Sequence, residues 1–92
     1  MIRSFADRQT ERLFAGFAVR RWRPIERVAR RWLDLLDRAT RLDDLRLNPG
    51  NRLEKLRGDR AGSWSIRIND QYQICFDWQQ DGPHDVEIVD YH

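Results

Sequence analysis

The clearest hydrophobic pattern in the chain is an alternation on both sides of one polar turn. Every second side chain is apolar over residues 64–68, and after Asn69-Asp70 a second alternation covers residues 72–78. A period of two is typical of β-strands with one covered face, and Asn and Asp suit turns because they bond their own backbone. The pattern predicts a β-hairpin whose apolar face must be covered by another layer.

A helical period precedes this hairpin and can supply that layer. Asp7 is a suitable cap for a first helix running to about Val19, and Pro24 suits the first position of a second helix because its φ is fixed. Residues 20–23 form a basic linker between them. The apolar positions of the second helix repeat every three to four residues: Ile25, Val28, Ala29, Trp32, Leu33, Leu36 and Ala39.

The remaining segments complete one α+β domain over residues 1–92. Residues 2–5 and 52–57 are predicted as short strands, and residues 86–91 as the last strand, while the segments at 43–50, 58–62 and 81–83 are predicted as connections. The expected order is β-α-α-β-β-β-β. Two helices should pack on one face of a small, curved, mainly antiparallel sheet.

Charge is unevenly distributed along the 92 residues, although the net charge is only +2. Residues 1–50 carry 12 Arg against 7 Asp and Glu, whereas residues 51–92 carry 5 Lys and Arg against 8. Arg pairs with phosphate through a planar fork, so nucleic acid is a plausible partner. Solvated helix faces rich in Arg would give the same composition.

Several classes of site are not supported by the sequence. His84, His92 and Cys75 lack metal-ligand spacing, and the five Gly residues form no phosphate-binding loop, so no metal or cofactor is expected. Cys75 lies mid-strand and is predicted to be a small buried hydrophobe in a reducing compartment. With no long apolar segment, we expect a cytoplasmic protein without a membrane partner.

The chain ends with three side chains that have acid–base capacity, Asp90, Tyr91 and His92. A histidine at the end of a strand can give or take protons near neutral pH, but a frayed, polar chain end has the same composition. Similarly, Arg57, Arg60 and Arg67 are either solvated charges on the polar face of the sheet or contacts to a ligand.

Five ordered stretches resemble the HigB toxins of the RelE superfamily, also called plasmid maintenance killer proteins, and the resemblance covers the whole chain. These are residues 1–5, 48–54, 56–62, 65–71 and 86–92. The resemblance implies a RelE fold and a type II toxin that cuts mRNA in the ribosomal A site. It also implies a HigA-type helix-turn-helix antitoxin, which represses the shared operon on operator DNA.

The resemblance also assigns roles by position. It implies that His92 and Asp90 form a metal-free acid–base pair, that Tyr91 orients RNA or shares proton transfer, and that Arg57 lies near the scissile phosphate. Lys55 would have a supporting role. The 2′-hydroxyl of RNA would attack the adjacent phosphorus, so DNA would not be cut.

One position departs from the family pattern and leaves alternatives open. Gln73 stands where these toxins usually carry Arg, so a stabilising cation is missing unless Arg67 compensates, with Arg60 as further RNA-binding support. A second hypothesis is therefore an attenuated RelE-fold protein that acts mainly as a corepressor with its antitoxin. A third, RNA binding without a cognate antitoxin, is less favoured because the polar face lacks a stacking motif.

Overall fold

The structure, a computed structural model, describes residues 1–47, 50–56 and 62–90. Its four-stranded sheet has the order β1-β2-β3-β4, and all three neighbouring pairs are antiparallel. The α+β class is confirmed. The elements are α1 (Arg8–Phe14), a 3-10 helix (Arg20–Ile25), α2 (Glu26–Arg38), α3 (Leu42–Arg46), β1 (Glu54–Lys55), β2 (Ser63–Arg67), β3 (Tyr72–Gln79) and β4 (Gly82–Asp90).

The predicted hairpin is formed by β2 and β3 and carries the centre of the core. Trp64 is paired with Phe76 and Ile66 with Ile74, so large apolar side chains lie side by side on one face. Burying a side chain of this size stabilises the fold by roughly 1.5–3 kcal/mol. The helical layer contributes buried side chains to the same cluster, among them Leu13, Ala29, Leu33, Leu36 and Leu45.

The outer edge of β4 is covered by the N-terminal segment. Arg3 N donates to Pro83 O at 2.8 Å, and Val86 exchanges hydrogen bonds with both Ser4 O and Ala6 N, at 3.1 and 2.9 Å. A strand predicted at residues 2–5 is nevertheless wrong, because the segment makes one isolated parallel bridge, Phe5 with Val86. It still protects an edge that could otherwise pair with another chain.

The first helix is shorter than predicted. It ends at Phe14 rather than near Val19, since Gly16 has φ +103° and the Arg30 Nε donates to the Leu13 carbonyl at 3.0 Å. That bond satisfies a carbonyl at the helix end. Phe17, which lies within the predicted but not the observed helix, is 54% exposed.

Two further boundaries differ from the predictions. Pro24 lies inside the 3-10 helix, and α2 begins two residues later because the basic linker itself coils into a helical turn. The segment predicted as a connection contains α3, whose start is stabilised by Asp44 Oδ2 accepting from the backbone N–H groups of Thr40 and Arg41, each at 3.0 Å.

The two outer strands of the sheet also have different bounds. β1 is limited to two residues, and β4 begins at Gly82 instead of Val86. Gly82 has φ +125°, and a Cβ there would lie 2.9 Å from the Met1 carbonyl oxygen, so the close approach of the N-terminus requires Gly. In the described part of the chain, no helix is long and apolar enough to cross a membrane.

Thr10 joins the helical layer to the sheet and generates a stability prediction. This buried residue donates through Oγ1 to Asp7 Oδ2 at 2.8 Å and accepts from Ile88 N at 3.1 Å. Thr10→Val keeps the volume but leaves that buried N–H unsatisfied, so the free energy of unfolding should fall by about 1–3 kcal/mol in urea titrations.

A matched control uses the same change at an exposed threonine. Thr40→Val removes a hydroxyl hydrogen bond of 3.1 Å in solvent and should cost less than about 0.5 kcal/mol. Equal losses for the two variants would show that the Thr10 hydroxyl does not join the two layers.

Candidate functional site

The register of the sheet defines a polar face opposite the core. Three rows of paired residues cross it: Arg67–Gln73–Val89 at one end, Ser65–Cys75–Glu87 in the middle and Ser63–Asp77–His84 at the other end. In the middle row Ser65 and Cys75 are 3% and 1% exposed, which confirms the prediction of a buried cysteine. The centre of this face is therefore buried, and its accessible side chains lie at the two ends and at the outer positions of the middle row.

The first end, next to the β2–β3 turn, contains two of the predicted site residues. Arg67 and Gln73 are direct neighbours across the two strands, and both are partly exposed. The Arg67 guanidinium binds the Asp70 carboxylate, and its Nε donates to the Asn69 carbonyl at 3.2 Å. A cation therefore stands beside the position where the family pattern would place Arg.

Asp90 reaches the same end of the sheet from β4. Its register partner is Tyr72, and Gln71 Nε2 donates to Asp90 Oδ2 at 3.0 Å. Because paired residues share a face, the Asp90 side chain leaves β4 on the side of Tyr72 and Ile74, whereas Arg67 and Gln73 lie on the polar face. The structure brings these residues to one end of the sheet but not to one side of it.

The other predicted residues are placed differently or lie outside the described part. Lys55 is exposed and paired with Trp64, so it belongs to the side of the sheet opposite Arg67. Four predicted site residues lie outside the described part of the chain: Arg57, Arg60, Tyr91 and His92. Asn48-Pro49 and residues 58–61 of the predicted connection also lie outside it. Their roles stay predictions.

The second end of the polar face holds a cluster of polar side chains around His84, which the sequence analysis did not predict. His84 Nε2 lies 2.6 Å from Asp81 Oδ1, and Asp77, the register partner of His84, accepts a hydrogen bond from the Ser63 hydroxyl. The hydrogen bond from His84 holds the pKa of Asp81 below its ordinary value. An Asp three residues before a His at a turn was the available indication.

Acidic groups outnumber cations on the described part of this face. Glu54, Asp77 and Glu87 share it by register, and Arg67 is the one Lys or Arg that the described strand pairs place there. Among the described residues no group of three or more His, Cys, Asp or Glu side chains could hold a metal ion. Polar contacts and proton transfer are the chemistry that these side chains offer.

Comparison with known proteins agrees with the fold and identifies the family of the chain. A helical layer on a four-stranded antiparallel sheet is consistent with a RelE-like fold, and the family model described as "RelE-like toxin of type II toxin-antitoxin system HigB" matches residues 3–92. The chain is also 40% identical over 80 residues to Toxin HigB-1 of Vibrio cholerae serotype O1, covering 85% of this chain and 84% of that toxin. It belongs to the HigB family of type II toxins, whose members act with an antitoxin.

The Asp81–His84 pair gives a pH prediction. A carboxyl whose pKa is lower in the folded state stabilises the fold above its unfolded pKa, and that contribution disappears as the pH falls through the folded pKa. Asp81→Asn should therefore lower the melting temperature at pH 6, and the difference from wild type should vanish in strong acid, in scans between pH 7 and pH 2.

The control places the same change in a His84→Asn background, where the main cause of the shift is absent. The pH dependence of the difference should shrink there. An unchanged dependence would show that His84 is not the group that acts on Asp81.

Proposed function

We propose that this toxin is a ribosome-dependent endoribonuclease that cuts mRNA in the A site and so inhibits translation. The observation that carries the proposal is that Arg67 and Asp90 lie at the same end of the sheet, although on opposite faces, and that Tyr91 and His92 follow Asp90 in the sequence. Membership of the HigB family supports it. The proposed substrate, mRNA in the ribosomal A site, is inferred from the resemblance to toxins with this activity.

The proposed chemistry needs proton transfer and charge stabilisation. A base removes the proton of a ribose 2′-hydroxyl, whose oxygen attacks the adjacent phosphorus, and an acid protonates the departing 5′-oxygen. His92 and Asp90 are proposed for these two roles, with Tyr91 orienting the nucleotide. Arg57 and Arg67 would stabilise the charge that develops on the phosphoryl oxygens.

The helical layer offers the cations for contacts to ribosomal RNA. Four of its arginines lie over aromatic rings, at 4.7 Å for Arg12 and Phe17, 4.5 Å for Arg21 and Trp22, 5.3 Å for Arg31 and Trp32, and 5.7 Å for Arg46 and Trp64. All four arginines are exposed, so phosphates can reach their guanidinium groups. The antitoxin would be of the HigA type, and the pair would repress its own operator DNA.

The corepressor hypothesis is retained because of Gln73 and the acidic character of the described polar face. A toxin without its cation would bind RNA and the transition state less well, while its surface for the antitoxin would be unaffected. Such a protein would repress with its antitoxin but cut slowly.

His92→Ala tests the nuclease directly. Loss of the proposed acid–base group should lower the rate of cleavage about 10²–10⁴-fold. The measurement is the mapping of mRNA 5′ ends on translating ribosomes after expression of each variant. Wild type should give cuts in phase with the reading frame.

His84 is the matched control because it is the other histidine of the chain. His84→Ala removes an imidazole from the opposite end of the polar face, so the cuts should persist once folding is confirmed by circular dichroism. Absence of phased cuts from wild type, or equal cutting by wild type and His92→Ala, contradicts the proposal.

Gln73→Arg tests whether the missing cation limits the rate. The new guanidinium would lie beside Arg67 at the turn end and should raise single-turnover cleavage on ribosomes by about 10-fold. Gln79→Arg, six residues along the same strand and near its other end, adds the same charge and should have no such effect. An equal or lower rate for Gln73→Arg would show that position 73 is not catalytic in this toxin.

A further inference from the structure

We propose that Gln71 is a positioning residue for the reaction and acts by holding Asp90. This inference rests on the proposed nuclease function. It extends that function to a side chain at the β2–β3 turn, within the stretch 65–71, to which the sequence analysis assigned no role.

The contact is specific and joins an exposed carboxylate to an amide. Gln71 Nε2 donates to Asp90 Oδ2 at 3.0 Å, between residues 19 positions apart in the chain. Asp90 is exposed at the end of β4. An exposed side chain at a strand end samples several rotamers unless a partner selects one, and a proton-transfer group must stay within hydrogen-bond reach of its substrate.

The turn gives Gln71 a fixed backbone from which to hold Asp90. Asn69 Oδ1 accepts from Gln71 N at 2.9 Å and from Tyr72 N at 2.8 Å, and Ile68 N donates to Tyr72 O at 3.0 Å. These bonds close the turn between Ile68 and Tyr72, and one of them is made by the backbone N–H of Gln71 itself. The amide therefore extends from a constrained backbone position.

The same turn also holds the cation of this end of the sheet. Arg67 donates to the Asn69 carbonyl and binds the Asp70 carboxylate, while Gln71 binds Asp90. One short turn thus fixes a candidate cation from β2 and a candidate proton-transfer group from β4. A substitution of Gln71 therefore removes a contact of Asp90 and leaves the Arg67–Asp70 pair in place.

A double-mutant cycle separates positioning from a merely structural role. Gln71→Met has similar length but no donor, and it should lower the single-turnover rate on ribosomes about 10-fold with little change in the affinity for the ribosome. If Gln71 acts through Asp90, the Gln71→Met/Asp90→Ala double variant should be no slower than Asp90→Ala alone.

Gln80→Met is the control, because Gln80 is an exposed glutamine in the β3–β4 turn. It should cleave at the wild-type rate. The melting temperatures of all variants are compared, and a side-chain amide spectrum shows whether the Gln71 signal shifts when Asp90 becomes Ala.

The possible results lead to distinct conclusions. Non-additive losses, with a Gln71 amide signal that depends on Asp90, support the positioning role. Multiplied losses in the double variant, or a wild-type rate for Gln71→Met, overturn it while leaving the nuclease intact. A wild type that does not cut mRNA on ribosomes overturns the proposed function itself, and the positioning role with it.

Discussion

The antiparallel register between β2 and β3 is the constraint on which the rest of the structure depends. Pairing Trp64 with Phe76 and Ile66 with Ile74 commits one face of the sheet to the core under the helices. The alternate residues must then form the polar face, because side chains alternate along a strand. A slip of one residue would bury Arg67 and Gln73 and expose the core side chains.

That register also decides which groups meet at the end of the sheet. In the turn between the two strands, the Arg67 side chain donates to the Asn69 carbonyl and binds the Asp70 carboxylate. Gln71 of the same turn donates to Asp90 of β4. The opposite end of the face carries the His84–Asp81 pair instead. In the proposed function, cleavage belongs to the turn end, and the arginines of the helical layer serve attachment to ribosomal RNA.

Periodicity predicted the central part of this fold because burial dictates it. The hairpin, the apolar face of α2 apart from Val28, which is 42% exposed, and the buried Cys75 follow from which side chains must leave water. The exceptions depend on local turns and on backbone contacts. The turn at Gly16 ends α1, with Gly16 N and the Arg30 side chain both donating to the Leu13 carbonyl, and the N-terminal segment that covers β4 makes backbone bonds without becoming a strand.

The candidate site was predicted mainly through resemblance. No spacing in the chain shows that Gln71 would reach Asp90, because that contact depends on the register of a third strand. Alternation did place Arg67 and Gln73 together on the polar face. Alternation within β4 also puts Asp90 on the side of Val86 and Ile88, and therefore on the face opposite Arg67.

Photo-crosslinking is the most direct test of where this toxin meets its substrate. A benzophenone amino acid replaces Gln73 at the turn end of the polar face or Gln79 farther along the same strand, and each variant is bound to ribosomes carrying an uncut mRNA analogue. The account predicts crosslinks to the A-site codon from position 73 and not from position 79. Crosslinks to that codon from position 79 alone would contradict it.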